Sequence, residues 1–319
     1  MIRTRVLLPL LFASAAFVVA GAGLAQPIGK SRPGGGDPKS RIISDHERDA
    51  AVAAALVPGK PDPEIPVPAS EMVAISPDNL LVVDTNKGRI VAELSPLMAP
   101  VHVARIQALA RRHFYDGLTF FRVIASFMDQ TGDPKNTGEG GSDLPDLKGE
   151  FTFRRTASTP WATVATPEGI DLGYVGANPV YSQASGLMAM TKDGGVSAWG
   201  AYCPGVLGMA RETEPDTANS QFFFMRDSYP TLERKYTAFG RVLIGQDVVK
   251  AIKVGEPVAD PQDRMTRVRL ASDLPAGEKV ILRRQDPQGS AFKAQVEHMR
   301  DRKGADFSVC DLNPTVRPG

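Results

Sequence analysis

The stretch LLVVDTNKGRIVAEL, residues 80–94, limits what this chain can become more than any other feature. Aliphatic and β-branched residues crowd two short runs, and the turn NKG lies between them. The segment therefore reads as a β-hairpin, with Gly88 supplying the left-handed turn residue. The same texture returns along the chain. FFRVI, GVLGMA, SQFFFM and TAFGRVLIG are further short strand-like runs, RMTRVRLASDL reads as the last strand, and SGLMAMTKDGGVSAWG reads as a second hairpin turning at Asp193 to Gly195. Two segments in this region have helical character. Residues 99–112 place Val103, Ile106, Leu109 and Ala110 on one face behind Pro100, with basic residues in the last turn, and QDVVKAIKVG is a helix ended by Gly255. Many short strands with two helices predict a mostly β fold, its antiparallel sheet closed on itself or sandwiched.

The 319 residues, 42% of them apolar, suffice for one large domain, and what precedes the hairpin is of another kind. MIRTR supplies positive charge, VLLPLLFASAAFVVA is an apolar run, and AGLAQ offers small residues before a cleavage point after Ala25, which together read as a secretory signal peptide. The alternative, a permanent anchor, is disfavoured because the apolar run falls short of the roughly 20 residues a spanning helix needs. The expectation is a periplasmic protein without stable membrane insertion after cleavage. Pro/Gly-rich stretches on both sides of IISDHERDAAVAAAL make residues 26–78 a tether around a short helix or a disordered run. The strand-rich domain runs over 79–271, and 272–319 form a C-terminal extension. There SAFKAQVEHMRDRKG puts Phe292, Val296 and Met299 on one helical face, either packed on the domain or free for a partner.

Several function classes drop out. A net charge of +1 with scattered basic residues gives no reason to propose nucleic acid. The glycine-rich TGEGGS lacks the GKS or GKT that a phosphate-cradling loop carries. His46, His102, His113 and His298 are scattered, and no Ser, Cys or Asp sits in a nucleophile setting. Cys203 and Cys310 have no Cys or His at ligand spacing, so neither a metal nor a cofactor is expected. Export to an oxidising compartment leaves a Cys203–Cys310 bridge and two free thiols as the alternatives.

One residue stands out in what is left. Arg122 lies in the middle of the strand-like FFRVI, it cannot lose its charge, and burying it unpaired is expensive. Either it pairs with a carboxylate, or it faces a cleft.

FYDGLTFFRVIASFMDQTGD, TGEGGS, GVLGMA, NSQFFF and YTAFGRV occur in the order and spacing typical of cyclophilins, and over Leu80 to Leu270 the chain resembles a secreted bacterial cyclophilin-type peptidyl-prolyl cis-trans isomerase. The resemblance implies a closed eight-stranded antiparallel barrel capped by two α-helices, with a substrate groove on its outer surface and a long loop insertion between Asp143 and Cys203. It implies that Arg122 is catalytic and donates to the substrate around its proline. It also implies that Phe127, Met128, Phe223 and Leu232 line the proline pocket, that Gln130 and the backbone near Ala210 hold the peptide, and that Gln221 is a further polar contact. The partners would be proline-containing polypeptides, bound by a monomer that assists the folding of exported proteins.

The chain departs from the family pattern at several positions. Thr231 stands where many members have Trp, Tyr236 replaces a common His at the next groove position, Arg211 replaces an Asn common in eukaryotic members, and Thr131 begins the ThrGlyAsp that is GlyGlyAsp elsewhere. These imply retained turnover with weak cyclosporin binding. A non-catalytic peptide-binding scaffold and a general chaperone are the competing readings. Retention of Arg122, Phe127 and Gln130 together favours the enzyme, since a binding module has no need of the arginine.

Overall fold

In the computed structural model, residues 65–319 are described, and they lie in the compact unit Pro63–Gly319. The signal peptide, its cleavage point and the IISDHERDAAVAAAL segment fall outside the described residues. In chain order the strands are β1 (Met72–Ala74), β2 (Leu80–Thr85), β3 (Gly88–Leu94), β4 (Arg122–Val123), β5 (Met128–Thr131), β6 (Phe153–Arg155), β7 (Trp161–Ala165) and β8 (Ile170–Val175). They continue with β9 (Asn178–Gln183), β10 (Val196–Gly200), β11 (Val206–Met209), β12 (Phe222–Met225), β13 (Ala238–Ile244), β14 (Met265–Leu270), β15 (Leu282–Gln285) and β16 (Val316–Pro318). The α-helices among the described residues are α1 (Pro100–Arg111), α2 (Gln246–Ala251) and α3 (Ser290–Lys303). No described helix is long and apolar enough to cross a membrane.

The expected hairpin is β2–β3, with Gly88 at φ 138°. Alternation sorts its side chains. Leu81, Val83, Ile90 and Ala92 enter the central core, where Val103, Ile106, Leu109 and Ala110 of α1 and Phe222 and Phe224 of β12 meet them. Leu80, Val82 and Val91 face the other way, under Leu274 and Leu282 of the C-terminal segment. Both faces of the hairpin are therefore covered, which accounts for LLVV being a continuous apolar run.

The eight strands of the main sheet run in the order β14-β2-β3-β13-β11-β12-β5-β4. They form an open, curled sheet, which corrects the expected closed barrel. No ladder joins β4 to β14: the seam holds the isolated bridge Thr119 to Arg264 and, beside it, the Gly117 amide donating to the Met265 carbonyl (2.7 Å). The reason lies at β4, which is two residues long and whose outer side is already taken by the segment after α2. Val123 and Gly255 exchange both backbone hydrogen bonds (2.8 and 2.9 Å), and the Val258 amide donates to the Phe121 carbonyl (2.9 Å). The edge is thus partly satisfied by a loop instead of by β14.

Further expectations change. The insertion is not a loop: β6-β10-β9-β8-β7 is a five-stranded antiparallel sheet, and Ser185–Met190, expected as one arm of a hairpin with β10, is a 3-10 helix. Asp171, which pairs with the buried Arg155 at 2.7 Å, accepts the Ser185 amide and starts that helix, while β10 pairs with β6 and β9. Met72–Ala74, inside the expected tether, is β1 of a three-stranded sheet ordered β1-β15-β16, so β14 is not the last strand. Helix α2 stops at Ala251, before Gly255, where Arg226 Nη1 and Nη2 take the carbonyls of Val249, Ile252 and Lys250 (3.1, 3.2 and 2.6 Å).

The C-terminal extension packs on the domain. Phe292, Val296 and Met299 of α3 join one apolar cluster with Tyr174 and Val180 of the insertion and with Met128 and Phe223 of the main sheet. Cys203 and Cys310 are joined in a disulfide, tying this extension to the segment between β10 and β11.

Candidate functional site: a groove on the outer face of the main sheet

The strand register assembles the site. Arg122 on β4 stands directly opposite Gln130 on β5, Gln130 opposite Phe223 on β12, and Phe223 opposite Gly208 on β11. Directly paired residues project to the same face, so arginine, glutamine and phenylalanine form one row across the sheet. Met128, two residues before Gln130, is on that face too. Gly208 ends the row because the Phe223 ring lies over it: a Cβ there would come within 2.6 Å of Phe223 Cε2 and 2.9 Å of Tyr202 Cε1.

The row floors a groove of about 520 Å³. Phe127, Met128, Phe223, Leu232 and Tyr236 give it an apolar end, Arg122 and Gln130 a polar one, and Ala210 lies between them on the lining. Met128, Phe223 and Leu232 are buried, in one apolar cluster with residues of the insertion and the extension. Phe127 is backed by Tyr229, with ring centroids 4.3 Å apart, and Phe223 lies between Tyr202 (6.1 Å, stacked) and the edge of Tyr236 (6.3 Å). The Ala210 amide donates to the Gln221 carbonyl (3.0 Å), leaving its carbonyl as the backbone group it can offer a peptide. Thr231 is exposed and absent from the lining, although its neighbour Leu232 belongs to it.

A line of hydrogen bonds crosses the polar end. Arg122 donates from Nε to Glu256 Oε1 (2.5 Å) and from Nη1 to Gln130 Oε1 (3.3 Å), Gln130 Nε2 donates to Gln221 Oε1 (2.9 Å), and Gln221 Nε2 donates to the carbonyls of Gly138 and Gly140 (2.8 Å each). The two alternatives for Arg122 are thus both realised: it pairs with a carboxylate and faces the groove.

The glycine-rich loop owes its shape to Asp133. Its Oδ1 accepts the Lys135 amide (2.7 Å) and its Oδ2 the amides of Thr137 (2.9 Å) and Gly138 (2.7 Å), while a Cβ on Gly140 would crowd Asp133 Cγ at 2.8 Å. Burial pushes this carboxyl up, but the amide donors of Lys135, Gly140, Gly138 and Thr137 outweigh it and hold the group below the usual carboxylate range. Beyond the loop the groove continues into a second cavity of about 310 Å³, shared through Gln130, Gly138, Ala210 and Arg211. Arg211 is pinned over the Tyr236 ring at 4.4 Å and donates to the carbonyls of Glu212, Thr213 and Lys235. Beneath the groove, burial pushes Asp129 up to about 7 against the pull of Arg226, and pushes Glu233, beside Leu232, up to about 7 against hydrogen bonds from Trp199 and Tyr202.

A sequence profile of the family "Cyclophilin type peptidyl-prolyl cis-trans isomerase/CLD" matches residues 80–272. The chain belongs to this family. A Brucella suis relative named "Probable peptidyl-prolyl cis-trans isomerase" is 33% identical over 193 residues, covering 57% of this chain and 75% of its own. The Bos taurus "Peptidyl-prolyl cis-trans isomerase-like 1" is 31% identical over 211 residues, covering 65% of this chain and 100% of its own. Among solved structures, the cyclophilin AquaCyp293 from Hirschia baltica superposes with a TM-score of 0.71 at 33% identity, over 77% of this chain and 92% of its own.

In this cyclophilin the residues expected at the site, Arg122, Phe127, Met128, Gln130, Ala210, Phe223, Leu232 and Tyr236, come together on one groove, and Gln221 lines the adjoining cavity. Sequence reasoning did not place Phe121, Asn136, Thr137, Gly138, Glu256 or Pro257 there, and the buried Phe121 lines the groove as well. Local pattern carries no signal for Glu256, whose approach depends on the backbone pairing of Val123 with Gly255, 132 residues apart in sequence. Gly138 lies in TGEGGS, and the acceptor Asp133 five residues earlier was the available clue.

Proposed function

We propose that this chain rotates X-Pro bonds of proline-containing polypeptides between cis and trans, with the proline ring held by Phe127, Met128, Phe223 and Leu232 and with Arg122 as the catalytic residue. Rotation breaks no bond, so no nucleophile or cofactor is called for; the task is to lower a barrier near 20 kcal/mol. As the amide twists, the prolyl nitrogen loses resonance and gains a lone pair. A guanidinium fixed beside it stabilises the twisted amide more than the planar one, and each ~1.4 kcal/mol of that difference is worth tenfold in rate. The observation that carries this reading is the register row, which sets a charged donor and an apolar ring site side by side on one rigid face. The signal-like N-terminus and the disulfide support work on exported proteins in a bacterial periplasm.

A protease-coupled assay on an Ala-Pro peptide tests the activity. Arg122→Ala is expected to lower kcat/KM by at least about tenfold with the fold intact. A variant that turns over like the wild type would remove Arg122 from the reaction. Turnover lacking in the wild type itself would leave a peptide-binding module.

A further inference from the structure

Arg122 is held from two sides, and only one of its partners comes from the strand next to it. Gln130 reaches Nη1 from β5 at 3.3 Å. Glu256 reaches Nε at 2.5 Å from the segment that occupies the free edge of β4. That segment is fastened on either side of the glutamate, by Gly255 to Val123 and by the Val258 amide to the Phe121 carbonyl. Residue 256 is therefore delivered to residue 122 by backbone hydrogen bonds, and the bond it accepts is short and charge-assisted. Nη2 of Arg122 makes no hydrogen bond among the described residues and is left to meet a ligand.

We propose that Glu256 is the positioning residue of this site: it selects the rotamer in which the Arg122 guanidinium faces a bound prolyl amide. This rests on the reading of Arg122 as catalytic. An arginine side chain has many rotamers to give up before it can address one amide nitrogen, and a partner that already holds it removes that requirement from the reaction step. Glu256 acts on orientation more than on stability. The two side chains are 37% and 54% exposed, and pairs so open to water contribute little to folding.

The test measures kcat and KM for the wild type, Glu256→Ala and Glu256→Gln, and repeats Glu256→Ala in an Arg122→Ala background. Glu256→Ala is expected to lower kcat about fivefold while KM stays within about twofold and the melting temperature holds. Glu256→Gln keeps an acceptor oxygen and should recover most of the rate. Without Arg122, the Glu256→Ala change should alter kcat by less than about 1.5-fold, because the two residues act as one unit. A Glu256→Ala enzyme as fast as the wild type, a Gln variant as slow as the Ala variant, or the same loss with and without Arg122 would each overturn the proposal, the last by showing that Glu256 acts through its loop. The side-chain Nε–H resonance of Arg122 reads the same claim without turnover. It should move upfield when Glu256 is removed, and an unmoved resonance overturns the positioning role even if the wild type proves inactive, an outcome that separately refutes the isomerase reading.

Discussion

Gly208→Ala adds a single methyl group against the Phe223 ring that lines the groove, and the structure says what it meets. The new Cβ would lie 2.6 Å from Phe223 Cε2 and 2.9 Å from Tyr202 Cε1, against an ordinary carbon–carbon contact of about 3.5–4.0 Å. The Phe223 ring must give way by about 1 Å. It has nowhere easy to go, since Tyr202 stacks on it and Tyr236 abuts it. Overpacking of this kind costs about 1–3 kcal/mol of stability. The displaced ring also spoils the surface meant for the proline, and a misplacement near 1 Å at a site can cost up to about a hundredfold, so we expect kcat/KM to fall about tenfold, about 1.4 kcal/mol. Peptide isomerisation measured beside urea denaturation separates the two effects, provided activity is read where the variant is fully folded. Wild-type kcat/KM in the variant would refute the reasoning, because it would mean that Phe223 is not held against Gly208.

The disulfide closes a sequence separation of 107 residues, and the chain-entropy account gives about 4.7 kcal/mol for a 100-residue loop, so reduction should lower the urea midpoint markedly; an unchanged midpoint in dithiothreitol counts against it. Glu233 titrates at about 7 in the folded protein against an ordinary 4.5. The folded chain then binds more protons than the unfolded one between those values, so the contribution is complete below about 4.5 and lost as pH rises through about 7. Stability should fall from pH 5 to pH 8 more in the wild type than in Glu233→Gln, and equal slopes would refute the assignment. Cyclosporin should inhibit poorly while turnover is retained, because Thr231 offers neither the apolar face nor the donor of a tryptophan, a loss of ~2 kcal/mol or more. Nanomolar inhibition of the wild type, or no gain in Thr231→Trp, would contradict this.

Local chemistry alone determined the β2–β3 hairpin, the apolar face of α1 and the strand character of SQFFFM, because each depends on neighbours within one turn or one strand. Arg122, Gln130 and Phe223 were legible as a site only through the resemblance of their motifs to cyclophilins, and the strand pairing then gives them a common face. Three things depended on the tertiary structure. Whether the sheet closes was decided at β4, where a segment after α2 took the edge that β14 would have used. Whether the insertion was loop or sheet depended on partners such as β10 with β6, separated by some forty residues of weakly patterned chain. Glu256 reached Arg122 only through that same edge, by a long-range backbone pairing that leaves no periodic trace in the sequence, because a hydrogen bond between main chains asks nothing of the side chains around it.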